Sequence, residues 1–293
     1  MKTDGPVLLA ANHPNSFLDS VLIDFLFDKP VHSLARGDVF KKPFYAKLLK
    51  QLYILPVYRT SEGVENLSAN YQTFDACIEL FKRKGIVTIF SEGLCINEWH
   101  LRPLKKGTAR LALQAWDQNI PLKVIPVSIN YSSFTRFGKN LYITFGNPIE
   151  KKDVPVNESD GVRNLAFNKI LQDELAKGIF EIDENDAEKH KELLEFKVSW
   201  WKKALLFFPG MLGWMLHQPL YFPLAKFADK KTRGTGHYDS VIIALLLLLY
   251  PLYLLLIAGI TYSITEKGWM GLAAIFIVPA LAWSYVQIKS QRK

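Results

Sequence analysis

The sequence predicts an α/β fold, a mixed sheet flanked by helices, followed by a C-terminal transmembrane helical hairpin. Three observations carry this reading. Before Pro148, short β-branched or aliphatic runs alternate with longer helical patterns, as expected of a sheet with crossover helices. From Ala204 to Lys293 there are only eight Lys/Arg and three Asp/Glu, clustered between long uncharged runs. Two of those runs exceed the roughly 20 residues that hydrocarbon requires.

Val7 to Ala11, Val31 to Leu34, Tyr53 to Tyr58, Ile86 to Phe90, Lys123 to Tyr131 and Leu141 to Phe145 read as strands. Between them, Phe17 to Phe27 is mostly apolar and Val64 to Lys82 is amphipathic. Thr108 to Gln118 repeats Leu111, Ala112 and Ala115 at helical spacing. Pro126 is unusual inside an apolar strand and calls for an edge or a bulge. After Pro148 sheet building ends, and Ser159 to Ala176 reads as an amphipathic helix. The α/β domain is therefore placed at 1–180, with a charged, aromatic connector at 181–203 in which Trp200 and Trp201 beside lysines suit the headgroup zone.

In the tail, Val241 to Ile264 holds 24 residues without a charge and Gly268 to Ile288 holds 21. They form the expected hairpin at 241–288. The apolar segment 204–228 carries Pro209, Pro219, Pro223, Gly210, Gly213 and the His217-Gln218 pair. These break helix, so the segment reads as interfacial or re-entrant, with a third span as the alternative. His217 reads as an interfacial residue there.

Lys230, Lys231 and Arg233 precede the first span, and Lys289, Arg292 and Lys293 follow the second, which places both ends inside. The expectation is an integral membrane protein with the α/β domain on the cytoplasmic face, at the inner membrane if the source is bacterial. No secretory leader is legible in Met1 to Leu9. Of the formal net charge of +8, +5 lies in the last ninety residues, so the basic excess flanks the membrane. The α/β part shows no nucleic-acid module. Cys77 and Cys95 are too few for a disulfide framework and lack zinc-ligand spacing.

Three strand-end constellations bear on chemistry. In Asn12-His13-Pro14-Asn15-Ser16-Phe17-Leu18-Asp19, His13 suits a general base and Asp19 suits the carboxylate that fixes its tautomer. Ser16-x-x-Asp19 also fits a helix capping box. In Pro56-Val57-Tyr58-Arg59-Thr60, Arg59 is placed to grip a phosphate or to make a surface ion pair. In Ile89-Phe90-Ser91-Glu92-Gly93-Leu94-Cys95, the glycine permits close backbone approach, and Glu92 serves either a pocket or backbone donors. Arg102, Lys105 and Lys106 precede a helix whose N-terminus favours anions.

The order of these elements, with Pro126 in its strand, resembles the glycerolipid O-acyltransferase family, over about residues 5–150. The resemblance implies a glycerolphosphate acyltransferase-like domain with His13 and Asp19 as the catalytic pair. Arg59, Glu92 and Gly93 would bind the acceptor, with Arg102, Lys105 or Lys106 in support. It implies transfer of an acyl group from acyl-CoA or acyl carrier protein to a glycerol-phosphate or lysophosphatidate hydroxyl, with membrane lipids as partners and no metal or other cofactor.

Five residues separate His13 from Asp19 where four is commoner in the family, Ser91 stands where proline is usual, and Leu94-Cys95 replaces Thr-Arg. The last change opens a second reading, the same chemistry on an aminolipid or lysophospholipid acceptor. Other classes are a hydrolase with Cys95 as nucleophile and a non-catalytic membrane scaffold. Family members usually carry a membrane-associated segment before the first strand, and here the tail hairpin would anchor instead, unless the start lies upstream.

Overall fold

The computed structural model describes residues 1–57, 67–155, 157–183 and 185–289. The chain divides into two compact units, one of Met1–Asn130 with Tyr142–Glu181, the other of Tyr131–Leu141 with Ile182–Lys293. The connection after Asn130 thus belongs to the second unit and 142–181 to the first.

Six strands form one sheet: β1 (Val7–Ala11), β2 (Val31–Arg36), β3 (Ile54–Val57), β4 (Ile86–Phe90), β5 (Lys123–Tyr131) and β6 (Leu141–Phe145), in the order β3-β2-β4-β1-β5-β6. The pairings β2–β3, β2–β4, β1–β4 and β1–β5 are parallel. At the β5 edge the sheet turns antiparallel: Gly146 N–H donates to Pro126 O at 2.9 Å, and Val124 forms an antiparallel bridge with Ile149. The sheet is therefore mixed. Central β1, Val-Leu-Leu-Ala-Ala, is buried throughout, which explains its continuous apolar run.

Pro126 aligns with Ala10 of β1, but its carbonyl points to β6. The missing N–H therefore faces the short edge strand and leaves the β1 ladder intact. A Cβ on Gly146 would lie 3.0 Å from Pro126 Cβ, so glycine is what lets that edge close on the proline ring.

Helices α1 (Phe17–Asp24), α2 (Pro43–Gln51), α3 (Leu67–Lys82), α4 (Lys106–Asp117) and α5 (Asp160–Ala176) complete this part. The core joins Leu8, Ala10, Val87, Ile89 and Val124 of the sheet to Cys77, Ile78 and Phe81 of α3, Leu111, Ala112 and Trp116 of α4, and Phe167 and Leu171 of α5. Each helix contributes residues one turn apart, so the apolar periodicity in the sequence is the face turned to the sheet. Helix α1 ends three residues before the expected Phe27, where one-turn bonds to the carbonyls of Ile23 and Asp24 tighten the chain.

The second unit is helical apart from its share of the hairpin: α6 (Ala187–Leu194), α7 (Trp200–Thr232), α8 (Tyr238–Thr265) and α9 (Gly268–Ile288). The connector at 181–203 holds α6 and the start of α7. The stretch 204–228 departs from expectation, since it lies inside one continuous 33-residue helix despite Pro209, Pro219 and Pro223. Two carbonyls of this helix accept side-chain bonds: Gly213 O from His217 Nδ1 at 2.6 Å, and Leu216 O from Tyr253 Oη at 2.6 Å. A re-entrant turn is thereby replaced by a helix packed on its neighbours. Helices α8 and α9 are long and apolar enough to cross a membrane, with mean hydropathies of 2.8 and 1.7.

Candidate active site

Parallel register sets the site. Ala11 aligns with Phe90 at the ends of β1 and β4, so the two following loops leave the sheet side by side. Two residues beyond that pair, His13 meets Glu92: the His13 N–H donates to Glu92 Oε2 at 2.8 Å. The other carboxylate oxygen, Oε1, accepts from the Arg102 N–H at 2.9 Å. Glu92 is 4% exposed and clasps both loops. Burial raises its carboxyl above the ordinary value, opposed by the two backbone N–H groups and by His13 and Arg102.

His13 Nδ1 lies 2.9 Å from Asp19 Oδ2, and the same oxygen accepts from the Asn15 N–H at 2.8 Å. Asp19 is fully buried while the His13 side chain is 18% exposed. A carboxylate only accepts, so in the neutral imidazole the proton lies on Nδ1 and Nε2 keeps a lone pair. The ring stacks on Phe90 with centroids 4.0 Å apart and planes 16° apart, which sets the direction of Nε2. The additional residue between His13 and Asp19 is taken up in the turn: Ser16 sits at φ 54°, and the carboxylate reaches back over it. Asp19 is thus the orienter of His13, and α1 has no side-chain cap from Ser16.

The β4–α4 loop packs against this turn. Ser16 N–H donates to Cys95 Sγ at 2.9 Å, and Asn97 Nδ2 donates to Pro14 O at 2.6 Å. Burial, with Asp19 nearby, pushes the Cys95 thiol up to about 12. It is therefore protonated at neutral pH and is not activated as a nucleophile. Asn12 bonds both the N–H and the carbonyl of Ile129, which ties the start of the loop to β5.

Of the expected residues, His13, Asp19, Glu92 and Arg102 are joined by direct bonds. Glu92, expected to bind substrate, spends both oxygens on backbone N–H groups of this chain. The Arg102 guanidinium is on Glu98 Oε1 at 2.9 Å. Gly93 has φ 66°, and a Cβ there would lie 3.0 Å from Lys105 Cγ, so glycine meets both the left-handed backbone and the close approach. Exposed Lys105 and Lys106 open α4, where N–H groups and dipole favour an anion. Arg59 lies outside the described residues. Asn15, Phe90 and Asn97 were not singled out from sequence; the first sits within the His–Asp motif and the second ends its strand, and either placement is a usable signal.

A strand-end histidine with a buried aspartate on one ring nitrogen is an arrangement able to act as a general base. Residues 1–130 match the sequence model of the Acyltransferase family. Two yeast (Saccharomyces cerevisiae) proteins are similar. Glycerol-3-phosphate O-acyltransferase 1 is 31% identical over 42% of this chain and 16% of its own length. Glycerol-3-phosphate O-acyltransferase 2 is 26% identical over 44% and 18%. The matches thus span less than a fifth of those relatives. Among solved structures, the 1-acyl-sn-glycerophosphate acyltransferase of Thermotoga maritima aligns at 17% identity and a TM-score of 0.43, covering 64% of this chain and 69% of that one.

Proposed function

We propose that the protein is a membrane-bound O-acyltransferase of phospholipid synthesis that moves an acyl group from acyl-CoA or acyl carrier protein to a glycerol-phosphate or lysophosphatidate hydroxyl. The observation that carries this is the His13–Asp19 contact at 2.9 Å, with His13 part-exposed, in a region that matches the Acyltransferase family model. His13 Nε2 removes the acceptor hydroxyl proton as that oxygen attacks the thioester carbonyl. The C–S bond then breaks, and the departing thiolate takes the proton from the imidazolium, so no covalent enzyme intermediate forms. Asp19 holds the ring and stabilises its positive form. Lys105 and Lys106 with the α4 N-terminus, and Arg59, receive the acceptor phosphate. Helices α8 and α9 anchor the chain with both ends on the cytoplasmic side.

The same transfer to an acceptor without a free phosphate is the second reading, favoured by Arg102 being engaged with Glu98. The test is transfer of a labelled acyl group by membranes containing wild type or His13→Ala, with glycerol 3-phosphate, lysophosphatidate and a non-phosphate lysolipid in parallel. His13-dependent product with the phosphate acceptors supports the first reading. Product with the third alone supports the second, and no His13-dependent product refutes both.

A further inference from the structure

A cavity of 690 Å³ lies wholly within the second unit, where α7, α8, α9 and the hairpin connection around Phe137 meet. Its walls are almost entirely apolar, and its size falls in the range of ligand pockets, roughly 300–1,000 Å³. The α8 residues that line it run from Ile243 to Tyr250, and the α9 residues from Pro279 to Val286. In an antiparallel hairpin, the first half of α8 and the last half of α9 occupy the same half of the membrane. The cavity is thus confined to the leaflet at the basic end of the hairpin.

Two polar groups in the wall are partnered: His217 bonds Gly213 O through Nδ1 and Tyr250 Oη through Nε2 at 3.0 Å. Cationic groups gather at the basic end. Lys289, which caps α9 and lines the cavity, bonds Phe137 O, and Gly138 sits against Val286. This holds Arg136 and Lys139 next to it. Lys139 is paired with Asp239. Burial, with Arg136 and Lys139 nearby, lowers Lys289 to about 8, and an anion beside it would offset that repulsion.

We infer that this cavity is a binding site for an anionic phospholipid of the cytoplasmic leaflet, its acyl chains among α7, α8 and α9 and its phosphate beside Lys289 and Arg136. The inference rests on the membrane-spanning part of the proposed function and is independent of the acyl-transfer chemistry.

The test reconstitutes the full chain in phosphatidylcholine vesicles containing spin-labelled phosphatidylglycerol or phosphatidylcholine, and reads the motionally restricted fraction. Insertion is scored separately, as resistance to alkaline extraction. Wild type is expected to prefer phosphatidylglycerol about fivefold or more, the effect of one well-placed cation. Lys289→Gln should abolish that preference with insertion unchanged. Leu246→Trp and, from the facing helix, Ala282→Phe should remove restricted lipid of both kinds. Equal restriction of the two lipids by wild type, or a preference that survives all three substitutions, overturns the proposal. So does a restricted fraction that tracks protein density regardless of headgroup, the mark of a second copy over the cavity. Failure of wild type to resist extraction overturns the membrane reading and this inference with it.

Discussion

The backbone N–H of His13 donates to Oε2 of Glu92 at 2.8 Å, across 79 residues of chain. His13 is therefore positioned twice, at its ring by Asp19 and at its backbone by a buried carboxylate that also holds Arg102. Glu92→Ala would strand two backbone donors, and the expected loss is about 2–4 kcal/mol of stability, with activity falling further because the His13 loop is released. Thermal unfolding alongside acyl transfer checks this; a variant of unchanged stability and activity contradicts it.

The pH dependence of that clasp has a definite sign. Burial raises the folded carboxyl above its unfolded value, so the folded protein keeps a proton that the unfolded chain has already lost. The stability linked to this group is full below the ordinary carboxylate pKa and is lost as pH rises through the raised value. Scanned from about pH 4 to pH 8, the melting temperature of wild type relative to Glu92→Gln should fall. A relative rise would show that the backbone donors outweigh burial.

Asp19 fixes the imidazole tautomer, so Asp19→Asn presents an amide able to donate to Nδ1 and turns the proton onto Nε2, where it blocks base catalysis. Rates should fall about a hundredfold to ten-thousandfold, as should those of His13→Ala. Measured together, the double variant should be little slower than either single one, because the residues act as a unit. Multiplying losses would argue that Asp19 acts independently of His13.

The fold was legible where periodicity and burial coincide. Strands β1, β4, β5 and β6 have the bounds that their apolar runs indicate, because each is packed in the sheet between turn-forming residues. Helix α2 was not legible: among its described side chains Phe44 and Leu48 are 74% and 43% exposed, so its apolar residues are not marked by burial, and Pro43 at its start was the signal available. Helix α7 misled in the other direction, since three prolines that would break a soluble helix are accommodated among packed neighbours. The His13–Asp19 pair was readable as a local motif, whereas the Glu92 bonds depend on the β1–β4 register, which motif spacing does not specify.

Cys95 sits beside the pair yet serves the loop as an acceptor for the Ser16 N–H. With its thiol pushed up to about 12, iodoacetamide at neutral pH should label it slowly in the folded protein and quickly after unfolding. Cys95→Ala is expected to keep acyl transfer within severalfold and to lower stability by about 1 kcal/mol. Abolished turnover without loss of stability would revive the hydrolase reading.

In the helical unit, two glycines with different surroundings should behave oppositely. A Cβ on Gly213 would fall inside the van der Waals envelope of Leu281 O, and one on Gly210 would lie 3.2 Å from Tyr285 Cα, so α7 and α9 approach backbone to backbone. Nothing lies within 4 Å of a Cβ on Gly259 of α8. Gly213→Val must therefore push the helices apart, at a cost of about 1–3 kcal/mol or more, as overpacking does. Gly259→Ala removes only backbone freedom and should be neutral or stabilising by up to about 1 kcal/mol. Melting in detergent, followed by helical circular dichroism, separates the two. A Gly213→Val protein that melts with wild type would mean that α7 does not pack on α9 at this crossing.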